Sequence, residues 1–519
     1  MPVKTLPGHG SITTLCHPLR MRPPLAWRSL TAGLTVLAAV LVWSSTRYGY
    51  HRDELYFLAC GRRLAWGYPD QPPLTPALAR LMSTLAPHSL VALRLPAVLI
   101  AVWATLLAAL IARELNGRGY AQGLAALAVG TGVVLLLGGR LLSTATIDLG
   151  IWVTLSWLLV VLLRTGQDRL WVAIGAVLGL GLLNKQLPVV AALALLVGML
   201  LSPAARPLLR SRWLPVGAAI ALACWTPVLI WQARHGWPQV TLAGQIHTEY
   251  GRADERVAFA VQQVVMFSLA ATALWVTGLI QLFRDPGWAR FRPLAWTWPV
   301  PIAVFAVTAG QGYYPVGVYP ALIAAGAVVV ERRARVLRLL VPAAVLLTAL
   351  PLTPVALPLL SPSALEESGL RDASEPQLEM VGWPGLVDQV ARVYRALPSS
   401  SGAAPSTTAA PSTPVVLLTT NYGEAGALEE YGPARGLPAV AYSGHNGFGL
   451  WGPPPAAATG PVILVWEGPP PDVFTGCRDT GRVRTGVRNE EDQNASVYVC
   501  NGPTGGWAAA WPRLVHLSA

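Results

Sequence analysis

Long apolar runs dominate this amino-acid sequence, and they recur from about residue 27 to residue 358. A helix needs about 20 consecutive apolar residues to cross the hydrocarbon layer of a bilayer. Only 12% of the 519 residues are charged, whereas soluble globular chains carry roughly 25%. The sequence therefore predicts a mainly α, polytopic helical membrane protein rather than a soluble globular one.

Eleven stretches are predicted to span the membrane. They are residues 27–45, 92–112, 120–139, 148–163, 171–183, 187–202, 214–231, 258–283, 294–309, 316–330 and 339–358. Lys and Arg are concentrated in alternate loops, which favours a cytoplasmic N-terminus. With an odd number of spans, the tail of the chain is then expected on the extracytoplasmic side.

Charge divides the chain near residue 359. Residues 1–358 contain 29 Lys and Arg against 11 Asp and Glu, whereas residues 359–519 contain 9 against 15. The positive excess lies among the predicted spans, so membrane lipids and orientation explain it better than nucleic acid does. We predict a membrane domain over 1–358 and an extracytoplasmic domain over 359–519, with membrane lipids and no nucleic acid as partners.

The predicted first exterior loop, residues 46–91, contains two apolar-patterned stretches around a turn rich in Pro and Gly. We interpret these stretches as amphipathic helices on the membrane face. The tail contains strand-like runs around a helical pattern, which predicts a small α/β domain. Residues 399–414 form a low-complexity, flexible segment. Cys477 and Cys500 can pair if the tail is extracytoplasmic, and the sequence leaves this open.

Acidic residues are scarce in the membrane half, and three of them lie at its predicted outer boundary. Asp53 and Glu54 follow the first span in YGYHRDELYF, and Asp148 begins the fourth span in LLSTATIDLG. An ionisable group at a membrane boundary is costly unless it is solvated or paired, so these residues are functional candidates. A carboxylate there can accept the proton of an acceptor hydroxyl or hold a divalent cation. Helix capping is the alternative role for Asp53 and Asp148.

Basic residues on the same predicted face supply the opposite charge. Arg52, Arg62 and Arg63 break the charge bias of the exterior loops, and Lys185 follows the fifth span. Arginine presents a planar fork of donors that suits phosphate, so this set can bind a phosphate leaving group. Contact with anionic lipid head groups is the alternative interpretation.

The sequence contains no nucleotide-binding phosphate loop, no HExxH zinc motif and no GxSxG elbow. No nucleotide cofactor is therefore expected. A divalent metal ion held by Asp53 and Asp148 is left open.

Taken together, the motifs resemble glycosyltransferase family 39, bacterial relatives of the dolichyl-phosphate-mannose protein mannosyltransferases with the GT-C membrane fold. The motifs that carry the resemblance are HRDELYFLACGRRLAWGYPDQPPLTPALARL (51–81), LLSTATIDLGIWVTL (141–155), GLGLLNKQ (179–186), PVLIWQARHGWPQ (227–239), GQGYYPVGVYPAL (310–322) and, in the tail, NYGEAGALEEYG with SGHNGFGLWGPP. The resemblance implies a lipid-phosphate sugar donor and inversion at the anomeric carbon. It also implies catalytic carboxylates at Asp53, Glu54 and Asp148.

The same resemblance implies that Lys185, Tyr313 and Tyr314, with the basic residues of the first loop, approach the lipid phosphate. We therefore predict a plasma-membrane glycosyltransferase that moves a sugar from a polyprenyl-phosphate donor to an extracytoplasmic protein, lipid or envelope glycan. Asp53 is the predicted base. The alternatives are a multi-span lipid or solute transporter and a non-catalytic cell-envelope scaffold. Transporters often show internal repeats and mid-membrane charges, and neither is visible here.

Overall fold

A computed structural model describes residues 22–250, 252–398, 414–487 and 494–518 of this chain. The helices before residue 359 are α1 (Trp27–Ser44), α2 (Arg52–Arg62), α3 (Leu74–Leu85), α4 (Leu90–Glu114), α5 (Gly119–Gly130), α6 (Val133–Gly138), α7 (Thr144–Thr165), α8 (Leu170–Leu182), α9 (Pro188–Leu201), α10 (Trp213–Arg234), α11 (Pro238–Tyr250), α12 (Ala253–Val265), α13 (Leu269–Arg284), α14 (Arg292–Trp296), α15 (Pro299–Thr308), α16 (Tyr319–Glu331), α17 (Arg335–Ala349) and α18 (Thr353–Ala356). Apolar side chains from most of these helices form one large buried cluster, whereas those of α2 belong to a second cluster with the C-terminal region. The predicted helical fold class is confirmed.

Several of these helices have the length and composition needed to cross a bilayer. Within the described residues there are five: α1, α4, α7, α10 and the helical stretch Arg335–Ala356. Helices α12 and α13 meet the same test only together, and they bend by 88° at their break. Helices α8 and α9 are apolar but shorter. The chain is thus a multi-pass membrane protein, whereas the number of eleven crossings stays a prediction.

The bundle depends on close contact between helix backbones. A Cβ atom at Gly175 in α8 would lie 2.1 Å from the carbonyl oxygen of Gly217 in α10. Likewise, a Cβ atom at Gly278 in α13 would lie 2.1 Å from the carbonyl oxygen of Leu322 in α16. Small residues allow membrane helices to approach this closely, so larger side chains at these positions would separate the helices.

The region after residue 358 contains a small mixed sheet with helices. Its elements are α19 (Pro362–Glu367), α20 (Glu375–Leu378), α21 (Trp383–Arg395), β1 (Val416–Thr419), α22 (Tyr422–Tyr431), β2 (Tyr442–Ser443), α23 (Asn446–Leu450), β3 (Val462–Glu467), β4 (Arg478–Arg482), β5 (Ala495–Cys500) and α24 (Trp507–Leu514). The strand order is β2-β1-β3-β5-β4, with β1 parallel to β2 and β3 and with β5 antiparallel to β3 and β4.

A disulfide joins Cys477 to Cys500 at the end of β5, so the structure pairs the two tail cysteines. The predicted flexible segment 399–414 lies outside the described residues except for its last residue. The domain boundary predicted at residue 359 stays a prediction.

Helix α2 differs from the amphipathic surface helix expected in the first exterior loop. All its residues from Glu54 to Gly61 are buried, because α22 of the C-terminal region packs against it. The interpretation of α2 as a helix on the membrane surface is therefore wrong. Helix α3 keeps an exposed apolar side, with Leu81 and Leu85 exposed. The C-terminal region thus covers the segment that carries the strongest candidate residues.

Candidate active site

A cavity of about 1010 Å³ opens between the helical bundle and the C-terminal region. Five of the nine predicted site residues line it, namely Arg52, Asp53, Lys185, Tyr313 and Tyr314. The C-terminal region contributes Glu379, Tyr422, Asn446 and Ser518 to the same lining. The structure therefore brings together one predicted carboxylate and four of the residues predicted to bind phosphate.

The start of α2 gives Asp53 its orientation. His51 caps the helix and accepts a hydrogen bond from the Asp53 backbone nitrogen at 3.1 Å through its Nδ1. The Asp53 side chain is 39% exposed, and its Oδ1 accepts a hydrogen bond from the Tyr422 hydroxyl at 2.9 Å. A half-exposed carboxylate on the wall of a polar cavity can take up a proton from a bound molecule.

Glu54, although adjacent in sequence, points away from the cavity. It is fully buried and forms an ion pair with Arg94 of α4 at 2.6 Å. Its two oxygens also accept hydrogen bonds from the backbone nitrogens of His51 and Leu142. Burial opposes the charged form, but Arg94 and these donors hold the pKa of Glu54 below its usual value. The surroundings of Glu54 are those of a structural ion pair between α2 and α4.

Arg52 connects the cavity to the C-terminal region. Its Nη2 donates to the Tyr422 hydroxyl at 3.1 Å, and its Nη1 lies 3.4 Å from Oε1 of Glu379. The other oxygen of Glu379 lies 2.9 Å from His51 Nε2. Although burial disfavours a charged imidazole, this carboxylate raises the pKa of His51. Arg52 and His51 are thus both held by Glu379, a residue that the sequence analysis did not identify.

Lys185 and the tyrosine pair lie on the bundle side of the cavity. Lys185 belongs to the connection between α8 and α9, and its Nζ lies 4.7 Å from the ring centre of Tyr314. The rings of Tyr313 and Tyr314 meet edge to face at 5.1 Å. An ammonium group beside phenol groups offers several donors to an anion.

Asp148 lies behind this wall and does not line the cavity. It is 4% exposed, and its Oδ1 accepts a hydrogen bond from Asn184 Nδ2 at 3.3 Å. Among the described residues its Oδ2 has no hydrogen-bond partner. Asp148 is therefore buried against the connection between α8 and α9, which carries Asn184 and Lys185.

Arg62 and Arg63, at the other end of α2, lie away from the cavity. Arg63 Nη2 lies 2.6 Å from Glu429 Oε1, and Arg62 Nη2 lies 2.9 Å from Glu429 Oε2. Arg63 also lies over the Trp451 ring at 4.5 Å. The prediction that these arginines bind the donor phosphate does not fit, because α22 supplies the carboxylates that neutralise them.

Asp70 is a cavity residue that the sequence analysis did not select. It lies in the Pro-rich turn before α3, and its Oδ1 accepts a hydrogen bond from the Tyr56 hydroxyl at 3.0 Å. Burial raises the pKa of Asp70 to about 7. Asp is a common turn residue, so its place in the turn GYPDQPP gave no clear signal of a cavity position.

A metal ion does not fit the two residues predicted to hold it. Asp53 lies on the cavity wall and binds Tyr422, whereas Asp148 is buried behind Asn184. Across the described ranges, no group of three or more His, Cys, Asp or Glu side chains is arranged to hold a metal. We therefore derive no step of the reaction through a metal ion.

Residues 70–231 match the family model described as dolichyl-phosphate-mannose-protein mannosyltransferase. No curated protein matches the sequence. Among solved structures, ArnT from Cupriavidus metallidurans bound to undecaprenyl phosphate is similar with a TM-score of 0.59 and 14% identity, over 90% of this chain and 97% of that chain. The apo form of the same protein gives a TM-score of 0.58 and 15% identity, over 91% and 98%.

The archaeal oligosaccharyltransferase AglB from Archaeoglobus fulgidus, solved with an inhibitory peptide and a dolichol-phosphate, is a more distant match. Its TM-score is 0.46 at 14% identity, over 79% of this chain and 64% of that chain. The ArnT matches span nearly the whole of both chains and establish a common fold. They agree with the resemblance predicted from the motifs: this chain has the GT-C fold of ArnT, and its residues 70–231 are similar to the dolichyl-phosphate-mannose-protein mannosyltransferase family.

Proposed function

We propose that the cavity binds a polyprenyl-phosphate sugar and that the chain transfers this sugar to a hydroxyl group on the outer side of the membrane. The observation that carries the proposal is that Asp53, Arg52 and Lys185 line one cavity. The proposed base, Asp53, and the proposed phosphate ligands, Arg52 and Lys185, therefore line the same cavity. The undecaprenyl phosphate bound to ArnT supports a polyprenyl-phosphate ligand here.

The reaction that suits this arrangement is a single displacement. Asp53 removes the proton of the acceptor hydroxyl while the acceptor oxygen forms a bond to the anomeric carbon. The bond from that carbon to the phosphate oxygen breaks, and its electron pair stays on the polyprenyl phosphate. Lys185 and Arg52 stabilise the charge of the departing phosphate. One displacement at the anomeric carbon inverts its configuration.

The remaining predicted residues have supporting roles in this proposal. Tyr313 and Tyr314 border the phosphate beside Lys185. We assign Asp148 a supporting role through its hydrogen bond with Asn184, which precedes Lys185 in the connection between α8 and α9. Glu54, Arg62 and Arg63 hold α2 in place and have no contact with the sugar or the phosphate.

We further propose that the N-terminus is cytoplasmic and that the C-terminal domain lies outside the plasma membrane. The alternation of positive charge supports this orientation. The disulfide between Cys477 and Cys500 supports it independently, because disulfides form in oxidising compartments. The cavity between the bundle and this domain then faces the extracytoplasmic side.

The test uses the full chain in lipid nanodiscs. Polyprenyl-phosphate sugars are offered one at a time with an envelope fraction as acceptor, and transfer is followed by mass spectrometry. The variant Asp53→Asn should lower the transfer rate at least about 100-fold. Asp472→Asn is the matched control, since Asp472 is 78% exposed and pairs only with Arg513 in the contacts seen. An active Asp53→Asn enzyme would reject the proposal.

A further inference from the structure

The catalytic carboxylate proposed above is held by a residue from the far end of the chain. Tyr422, at the first position of α22, donates its hydroxyl proton to Asp53 Oδ1 at 2.9 Å, although 369 positions separate the two residues. The same hydroxyl oxygen accepts hydrogen bonds from Arg52, at 3.1 Å from Nη2 and at 3.3 Å from Nε. One phenol group therefore joins the proposed base to a cavity arginine.

The ring of Tyr422 has little freedom to move. It stacks on Tyr56 with ring centres 4.6 Å apart and lies 4.7 Å from the ring of His445. The residue is only 6% exposed. Asn421 caps α22 by accepting a hydrogen bond from the Glu424 backbone nitrogen at 3.0 Å. The hydroxyl is thus fixed by the rings around it and by the capped start of its helix.

Two glycines let α22 approach α2 closely enough for this contact. A Cβ atom at Gly423 would lie 2.9 Å from Cβ of Arg52, and one at Gly426 would lie 2.9 Å from the carbonyl carbon of Leu55. Cβ atoms essentially never come within 3.0 Å of such neighbours. The spacing of the helices, and with it the reach of Tyr422, depends on the absence of side chains at these positions.

Tyr422 can serve only as a donor toward Asp53. Burial, together with the nearby Asp53 carboxylate, raises the pKa of Tyr422 well above its usual value. The phenol therefore stays protonated, and a protonated hydroxyl next to a carboxylate donates to it.

We propose that Tyr422 is a positioning residue for Asp53 and that the C-terminal domain thereby completes the reaction site. Its hydroxyl occupies one carboxylate oxygen and orients the other, Oδ2, toward the acceptor. This inference rests on the proposed function, in which Asp53 is the base. It assigns the C-terminal domain a role in the chemical step in addition to covering the cavity.

The test compares Tyr422→Phe with Tyr422→Ala in the nanodisc transfer assay, with kcat and the KM for the polyprenyl-phosphate donor measured separately. The phenylalanine variant keeps the ring stacking and loses only the hydroxyl. Because hydrogen bonds to charged groups are strong, kcat should fall about 10- to 100-fold, and by more than the donor KM changes through Arg52. If the role were packing alone, phenylalanine would restore the activity that alanine loses.

Tyr431→Phe is the control variant, since Tyr431 lies on the same helix and its ring contacts Tyr50, away from the cavity. It should change neither constant. Gly426→Ala is a second route to the same effect, because it pushes α22 away from α2 without touching the hydroxyl; kcat should fall here too.

Two results are decisive. If Asp53→Asn is inactive while Tyr422→Phe keeps the kcat of the unmodified enzyme, the positioning role is wrong and the proposed function stands. If Asp53→Asn is active, the proposed function itself fails. Thermal unfolding of each variant separates loss of the hydroxyl from loss of the fold.

Discussion

Both ends of helix α2 carry arginine, but one end lines the cavity and the other is neutralised by ion pairs. At its start, Arg52 and Asp53 face the cavity and share the hydroxyl of Tyr422. At its end, Arg62 and Arg63 are neutralised by Glu429 of α22. The same neighbouring helix, α22, therefore binds a cavity carboxylate at one end of α2 and neutralises two arginines at the other. A charged residue of this loop is a functional candidate only when its side chain still lines the cavity after its ion pairs and hydrogen bonds have formed.

The largest expected effect separates the two adjacent carboxylates at the start of α2. Glu54→Gln should lower the free energy of unfolding by about 3 to 5 kcal/mol, because it leaves Arg94 buried without its counter-charge. Asp53→Asn should leave the stability nearly unchanged and remove activity. Chemical unfolding in detergent measures the first effect and the transfer assay the second. A stable but inactive Glu54→Gln protein would make Glu54 a catalytic residue instead.

The next effect is a pH dependence of stability, and it concerns Asp70, which binds Tyr56 of α2 beside the cavity. Because burial raises the pKa of Asp70 from 3.8 to about 7, the folded state binds a proton that the unfolded state releases in this window. Stability should therefore fall as the pH rises from about 4 to 7, by roughly 2 to 4 kcal/mol, and then level off. Asp70→Asn should remove this part of the slope. Unfolding temperatures measured across that range would test it, and an unchanged slope would contradict it.

A smaller effect is expected at the anchored end. Glu429→Gln should cost about 2 kcal/mol of stability, since Arg62 and Arg63 are partly exposed and water can replace part of the interaction. Arg63→Gln should leave the KM for the lipid donor unchanged, which a phosphate-binding role would not allow. Donor titrations with both variants distinguish the anchor from the phosphate site.

The smallest effect is expected at the exposed ion pair between His88 and Glu430. His88 lies 2.7 Å from Glu430, but its side chain is 77% exposed. His88→Ala should therefore change the free energy of unfolding by less than about 0.5 kcal/mol and leave transfer unaffected. A loss several times larger would mean that the connection between α3 and α4, which carries His88, helps to hold α22 in place.

Much of the candidate site was predictable because charged residues are rare in a membrane sequence, so each one near an apolar run is a functional candidate. Asp53, Arg52 and Lys185 are charges at the edges of apolar runs, and they line one cavity. The helical fold follows from the same apolar runs. The pairing of Cys477 with Cys500 also matched an option left open by the sequence.

The rest was not predictable because it depends on contacts between distant segments. Nothing local to Arg63 indicates that Glu429, 366 positions later, neutralises it. Likewise, Glu379 reaches His51 and Tyr422 reaches Asp53 only after the C-terminal region has packed on α2. Adjacent Asp53 and Glu54 look alike in the sequence, and only the three-dimensional neighbours separate a cavity carboxylate from a buried ion pair.

The long separation between Asp53 and Tyr422 also has a consequence for biogenesis. The ribosome makes Asp53 369 residues before its hydroxyl donor, so a nascent chain already inserted in the lipid holds the carboxylate without its donor. On the proposal made above, sugar transfer would reach its full rate only after Tyr422 has been synthesised and α22 has packed on α2.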